Sequence, residues 1–289
     1  DVKTVNDGLA TKWAENDSLN LFHAVAGETS YVSDGKFTLD ATREGVFTGE
    51  LASALDNEQS YDWYAIYPYE KYVKTPAATN SGHRNLGQIS NGKYLTQNGN
   101  DSKAHLCGAA LPLYGVAKSV ASDAMPQMQM KNLTSVVAVD VNNTTTEALN
   151  VNSIKFTSTE DIVGTYYIDF TGESVKYTMS DAKYVKSTAS LTVENSEIAA
   201  GAKATFYIPI KPHTAKAGST LTLSVNGYEK ESPSLTKDVT FTAGKIKTLK
   251  FDYNSSSVTT EYKSLAELSA AILDGKTEFT LNLTDPAVV

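Results

Sequence analysis

Tyr61-Asp-Trp-Tyr-Ala-Ile-Tyr-Pro-Tyr-Glu-Lys-Tyr72 is the stretch that decides the fold class. Five of its twelve residues are tyrosine and one is tryptophan, so ring packing dominates whatever it forms. Read with a period of two, Tyr61, Trp63, Ala65 and Tyr67 share one face of a strand. Tyr64 and Ile66 fall on the other face, beside Asp62. A strand apolar on both faces must be covered on both sides, which puts it in the middle of a β-domain. Pro68 withdraws a backbone donor and ends the strand. The competing use of such rings is a platform for sugars, and that requires them exposed. Burial of Trp63 and Tyr67 is therefore the expectation that separates the two.

Outward from this strand the pattern stays β. Upstream, Leu19 to Val25, Lys36 to Leu39 and Gly45 to Leu51 read as strands, with Ser33-Asp-Gly35 as a turn. Downstream, residues 76–103 turn to Asn, Ser, Gly, Lys and Thr, a long polar loop and a candidate contact surface. Apolar character returns at Ala109 to Val116, where Pro112 marks a strand start or an edge. The second half is more regular. Strands are expected at Val136 to Val141, Ile154 to Thr157, Gly164 to Phe170, Leu191 to Val193, Thr205 to Ile210, Leu221 to Val225, Val239 to Phe241 and Lys245 to Phe251. Turn residues separate them at short intervals, as in an all-β sandwich. The domains are read as residues 1–127, 128–253 and a tail, 254–289.

The tail changes period. Residues 254–263 read as a linker. Ser264-Leu-Ala-Glu267 then has the form of a capping box, and Leu265, Leu268, Ala271 and Ile272 make a helical stripe that Gly275 stops. Thr277, Phe279, Leu281 and Leu283 fall on one face of a final strand. A strand without a partner in its own segment must pair elsewhere, so these four residues are a candidate donor strand for a neighbouring subunit.

Bulk properties bound the function. The net charge of -8 argues against nucleic acid, which needs a concentrated basic surface. Only Arg43 and Arg84 among 25 basic residues are arginine, so bidentate forks for phosphate or carboxylate are scarce. Cys107 is the single cysteine, which excludes an internal disulfide and a cysteine metal cluster. No apolar run is long enough for a membrane-spanning helix. Any targeting segment would lie upstream of Asp1.

Catalytic chemistry is sparse. His23, His83, His105 and His213 have no metal-ligand spacing. His105-Leu-Cys107 would put both side chains on one face of a strand, but no orienting group accompanies them. The nucleophile-elbow, dinucleotide, phosphate-loop and zinc-helix motifs are absent. Glu160-Asp161 and Asp140-Val-Asn-Asn143 lack the glycine and spaced carboxylates of a calcium loop and read as turn residues. A non-enzymatic chain without cofactor is expected.

Several stretches together resemble the fimbrillin-like family, the type V pilins and related adhesins of Gram-negative anaerobes. They are Tyr61-Asp-Trp-Tyr-Ala-Ile-Tyr-Pro-Tyr69, Leu111-Pro-Leu-Tyr-Gly115, Met130 to Val139, Ile154 to Phe170, Ala204 to Ile210 and Phe241 to Leu249, in that order along the chain. The resemblance implies two transthyretin-like Greek-key β-sandwich domains in tandem, followed by the short helix-strand tail. It implies cell-surface display, with a lipid anchor to the outer membrane upstream of Asp1. Its partners would be other pilus subunits, joined by strand complementation, and a host protein or glycan. In such pilins a protease trims an N-terminal strand after a basic residue. Arg43, just beyond the first strands, is the candidate trimming site, against the plain reading of an exposed loop arginine. A carbohydrate-binding surface lipoprotein is the alternative function. The tail also resembles the opening of a right-handed β-helix.

Overall fold

The computed structural model describes residues 13–77, 83–87, 95–254, 261–262 and 280–281. The chain divides between Tyr253 and Asn254 into two compact units. Among the described residues regular structure is strand, apart from two single 3-10 turns at Gly108–Ala110 and Ala182–Tyr184. The protein is mainly β.

In chain order the first half contributes β1 (Ser18–Val25), β2 (Val32–Leu39), β3 (Phe47–Thr48), β4 (Ser60–Tyr67), β5 (His83–Leu86), β6 (Leu95–Asn98), β7 (Leu113–Ala121) and β8 (Lys131–Asn132). Six of these form an antiparallel sheet in the order β3-β2-β1-β4-β7-β8. The aromatic strand β4 is central, flanked by β1 and β7. Its two faces feed two different cores, as the period of two requires. Tyr61, Trp63, Ala65 and Tyr67 join Leu19, Leu21, Phe37 and Leu113 on the outer face. Tyr64 and Ile66 join Phe22 on the inner face. Trp63 is 4 % exposed and Tyr67 3 %, so neither offers a sugar platform.

Two polar positions bend this sheet. The Ser33-Asp-Gly35 stretch, expected as a turn, lies inside β2 at a register shift against Leu21 and Phe22. Gly35 takes φ +81°, a conformation glycine adopts without strain, and this is bulge chemistry rather than chain reversal. A second shift between Tyr61 and Trp63 surrounds buried Asp62. Its carboxylate accepts hydrogen bonds from Lys118 Nζ and the Ser119 amide, both at 3.0 Å.

The second half supplies β9 (Ser135–Asn143), β10 (Leu149–Asn150), β11 (Ser153–Thr157), β12 (Val163–Asp169), β13 (Lys176–Met179), β14 (Val185–Lys186), β15 (Thr188–Glu194), β16 (Glu197–Ile198), β17 (Lys203–Ile210), β18 (His213–Ala215), β19 (Thr222–Val225), β20 (Tyr228–Glu231), β21 (Val239–Phe241) and β22 (Ile246–Tyr253). A three-stranded sheet, β17-β9-β22, and a five-stranded one, β20-β19-β11-β15-β6, share the largest core. Val137, Val139 and Val141 of β9 enter it with Phe206, Ile208 and Phe251, opposite Ile154, Phe156 and Leu191. The hairpin of β12 and β13 goes elsewhere. Tyr166, Ile168 and Phe170 pack with Phe22, Tyr64 and Ile66, closing the inner face of the first sheet.

The 76–103 region is not only loop. β5 pairs antiparallel with β12, and β6 runs parallel to β15, so both complete sheets built mainly from later sequence. Gln97 of β6 reaches a further sheet. Its amide donates to the Thr205 carbonyl at 3.1 Å and accepts from the Tyr207 amide at 3.0 Å, copying a strand's hydrogen bonds at the free side of β17.

In the unit 254–289, Glu261–Tyr262 and Thr280–Leu281 form a parallel pair, with Leu281 opposite Tyr262. The first of these strands falls where a linker was expected, and it gives Thr280–Leu281 a partner within its own unit, where none was expected. The expected helix at 264–275, and Thr277, Phe279 and Leu283 of the candidate donor strand, lie outside the described residues.

Candidate functional site

The outer face of the first sheet is roofed by irregular chain rather than by a second sheet. Trp13, the 44–55 segment and the 122–130 segment lie over it, and between roof and sheet is a cavity of about 440 Å³. Its floor is Leu19, Leu21, Phe37, Trp63 and Ala65. Trp13 packs edge-on against Phe47 at 4.9 Å and Tyr67 at 5.2 Å between ring centres, which pins one side of the roof. Tyr67 also donates to Asp17 at 2.8 Å, and burial beside that carboxylate pushes its hydroxyl well above the ordinary tyrosine range. Its lining is mostly apolar, with Glu44, Ser122 and Gln127 as polar exceptions. The Trp63 indole N–H is buried without an acceptor.

Arg43 immediately precedes the 44–55 segment of the roof. Its guanidinium meets Asp40 at 2.6 Å, and Asp40 also accepts from the Thr42 amide and hydroxyl at 2.8 and 2.7 Å. These hydrogen bonds, with Arg43 behind them, hold the Asp40 carboxyl at about 2. Two backbone bonds close the loop: the Asp40 amide donates to the Val46 carbonyl at 2.7 Å and the Val46 amide to the Arg43 carbonyl at 3.2 Å. The arginine is exposed at the surface of a tight turn, just beyond β1 and β2.

Two histidine pairs appear that residue spacing does not signal. His23 Nδ1 lies 2.7 Å from Asp34 Oδ2, both buried, and Asp34 also accepts from the Ala52 amide at 3.0 Å. The bulge at Gly35 makes this pair possible. In the second half, His213 Nε2 lies 2.7 Å from the Ser158 hydroxyl and Nδ1 lies 3.1 Å from the Lys211 carbonyl. That carbonyl can only accept, so Nδ1 carries the proton and Nε2 accepts from Ser158. Burial pushes the His213 imidazole below its ordinary value. The ring stacks on Phe241 at 4.6 Å, and Ser158 is only 5 % exposed. The pair ties the residue after β11 to β18.

The remaining candidates resolve simply. His105 and Cys107 are not on a strand; His105 bonds the Tyr207 carbonyl at 2.8 Å while Cys107 is exposed. Asp140 to Asn143, expected as turn residues, are instead the end of β9, and the Asn143 side chain bonds Thr145, Glu147, Ile198 and Ala199 in the chain around it. Among the described residues no group of three or more His, Cys, Asp or Glu is arranged to hold a metal.

Comparison with solved structures gives the fold a place. A candidate cell adhesion protein from Bacteroides ovatus matches over 84 % of this chain and 86 % of its own, with a TM-score of 0.51 at 15 % identity. One from Bacteroides uniformis covers 83 % and 88 %, with a TM-score of 0.48 at 15 % identity. The tip fimbrial protein Mfa3 of Porphyromonas gingivalis covers 76 % of each chain, with a TM-score of 0.36 at 11 % identity. No protein-family model and no curated protein sequence matches.

Proposed function

We propose that this chain is a non-enzymatic adhesion or fimbrial subunit of the bacterial surface, built from two transthyretin-like Greek-key sandwiches and joined to other subunits by strand complementation. The observation that carries the reading is the fold shared over 84 % of the chain with a candidate cell adhesion protein. The geometry supports a route. β1 lies between β2 and β4 and is buried on both faces, so its loss would leave an apolar slot beside β4. Arg43 is the trimming position that would free β1 together with β2, and Thr277, Phe279, Leu281 and Leu283 would be the donor face that refills such a slot in a neighbour. Host protein or glycan is the ligand class, and the outer membrane the anchoring surface.

The test is assembly. Subunits treated with an arginine-specific protease are expected to form ladders that survive detergent, and a chain lacking 277–284 is expected to form none. Intact ladders from that deletion remove the donor strand. An unchanged ladder from Arg43→Ala moves the trimming site. No polymer and no cell binding under any processing condition overturns the reading. Labelling of Ser158 by a serine-directed hydrolase probe would overturn its non-enzymatic part.

A further inference from the structure

Three of the four methionines stand within six residues, Met125-Pro-Gln-Met-Gln-Met130, and all three line the cavity on the outer face of the first sheet. Met128 and Met130, two apart in extended chain, point the same way. Their sulfurs meet over Gly115 of β7, 3.4 and 2.6 Å from where a Cβ there would lie, and are therefore at most 6.0 Å apart. Glycine at 115 opens the space that the two sulfurs use. Met125 is exposed at the rim, on a side chain with three rotatable bonds.

We propose that Met125, Met128 and Met130 form a thioether site for a soft monovalent metal ion, Cu(I). Methionine in a core is ordinarily a filler of irregular gaps. Met128 and Met130 do pack against the outer-face core, yet about 440 Å³ stays open beside them, so packing does not use up the space next to their sulfurs. Neutral thioethers are poor ligands for calcium, magnesium or manganese and good ones for Cu(I). A single positive charge is costly in an apolar cavity unless compensated. The lining supplies compensation: the aromatic rings of Trp13 and Trp63 are part of it, and Glu44 stands in the cavity wall as the one acidic residue there. Two thioethers held close and a third free to swing in match an ion that accepts two or three ligands.

The experiment uses Ag(I), the redox-inert analogue, on the full chain carrying Cys107→Ser, because the exposed thiol would bind silver itself. One tight equivalent is expected by calorimetry, with the methyl resonances of Met128 and Met130 shifting together. Met128→Leu and Met130→Leu keep apolar volume and fold. Each is expected to weaken Ag(I) by at least about tenfold, the size of loss seen when a metal site is stripped of one supporting partner. Absence of binding by the Cys107→Ser chain overturns the proposal. So does binding that both leucine variants retain unchanged, which would mean the ion sits elsewhere. Thermal unfolding of each variant without silver checks that a lost equivalent is not a lost fold.

Discussion

Trp63 carries the sharpest residue-scale expectation. Its ring is buried among Leu21, Tyr61, Tyr67 and His23, so Trp63→Ala should cost about 3–5 kcal/mol by urea unfolding. The neighbouring cavity gives the structure room to relax and argues for the lower figure. Trp63→Phe is the informative partner. The indole N–H has no acceptor, so removing it gives up no hydrogen bond and relieves an unsatisfied donor. That change leaves a smaller void than Trp63→Ala and should cost clearly less, about 1–2 kcal/mol. His213 sets a pH dependence. Burial lowers its folded value below the ordinary 6.5, and His105 shifts the same way. Above that value both states are neutral and nothing is gained or lost. As pH falls through about 6.5 the unfolded chain takes up protons first, so stability should drop. Urea midpoints measured from pH 7.5 to 5 should fall, and His213→Gln should flatten part of that fall.

At the scale of elements, Gly164 is where β12 is most constrained. Its φ is +126°, and a Cβ would come within 2.0 Å of the Tyr184 carbonyl oxygen and 2.7 Å of Val185 Cα. Those are backbone atoms, which cannot swing aside. Gly164→Ala should therefore cost more than about 3 kcal/mol, or leave no folded protein by circular dichroism, because left-handed strain and overpacking add. Glycine in the middle of Val163-Gly-Thr-Tyr-Tyr is visible in the sequence, but the chain that crowds it is not. The same limit explains what was legible. β4 and β9 could be read because they are continuous apolar runs buried on both faces, and β11, β12 and β17 because their burial is written in their own alternation. β5 and β6 could not, because each has few apolar anchors and pairs with Tyr166 or Leu191, far along the chain. The Asp-Gly in β2 looked like a turn because a bulge and a turn ask the same of glycine. Of the site, Arg43 stood out by rarity. The cavity did not, since its roof combines residues 44–55 with 122–130, and only the fold brings them together.

For the molecule as a whole the decisive question is what one cut at the edge of the roof does. Arg43 and Arg84 are the only arginines, and they stand in opposite settings. Arg43 is in an exposed turn held by Asp40, whereas the backbone at Arg84 is within β5, paired with Tyr166 of β12. A protease needs its substrate in extended form, and opening a tight turn costs far less than stripping a strand from its sheet. An arginine-specific protease should therefore cut after Arg43 well before Arg84, with mass spectrometry reporting the new amino terminus at Glu44. Equal rates at both sites would show that the ladder at β5 gives no protection. The nicked protein should not fall apart. β1 keeps its register with β4 from Asn20–Ile66 to Val25–Tyr61, and Leu19, Leu21 and Phe22 remain in two cores. Size exclusion should thus show the fragments co-eluting until a competing strand displaces β1. If the N-terminal fragment leaves at once without a competitor, β1 is not held as its burial implies, and subunit joining needs no displacement step.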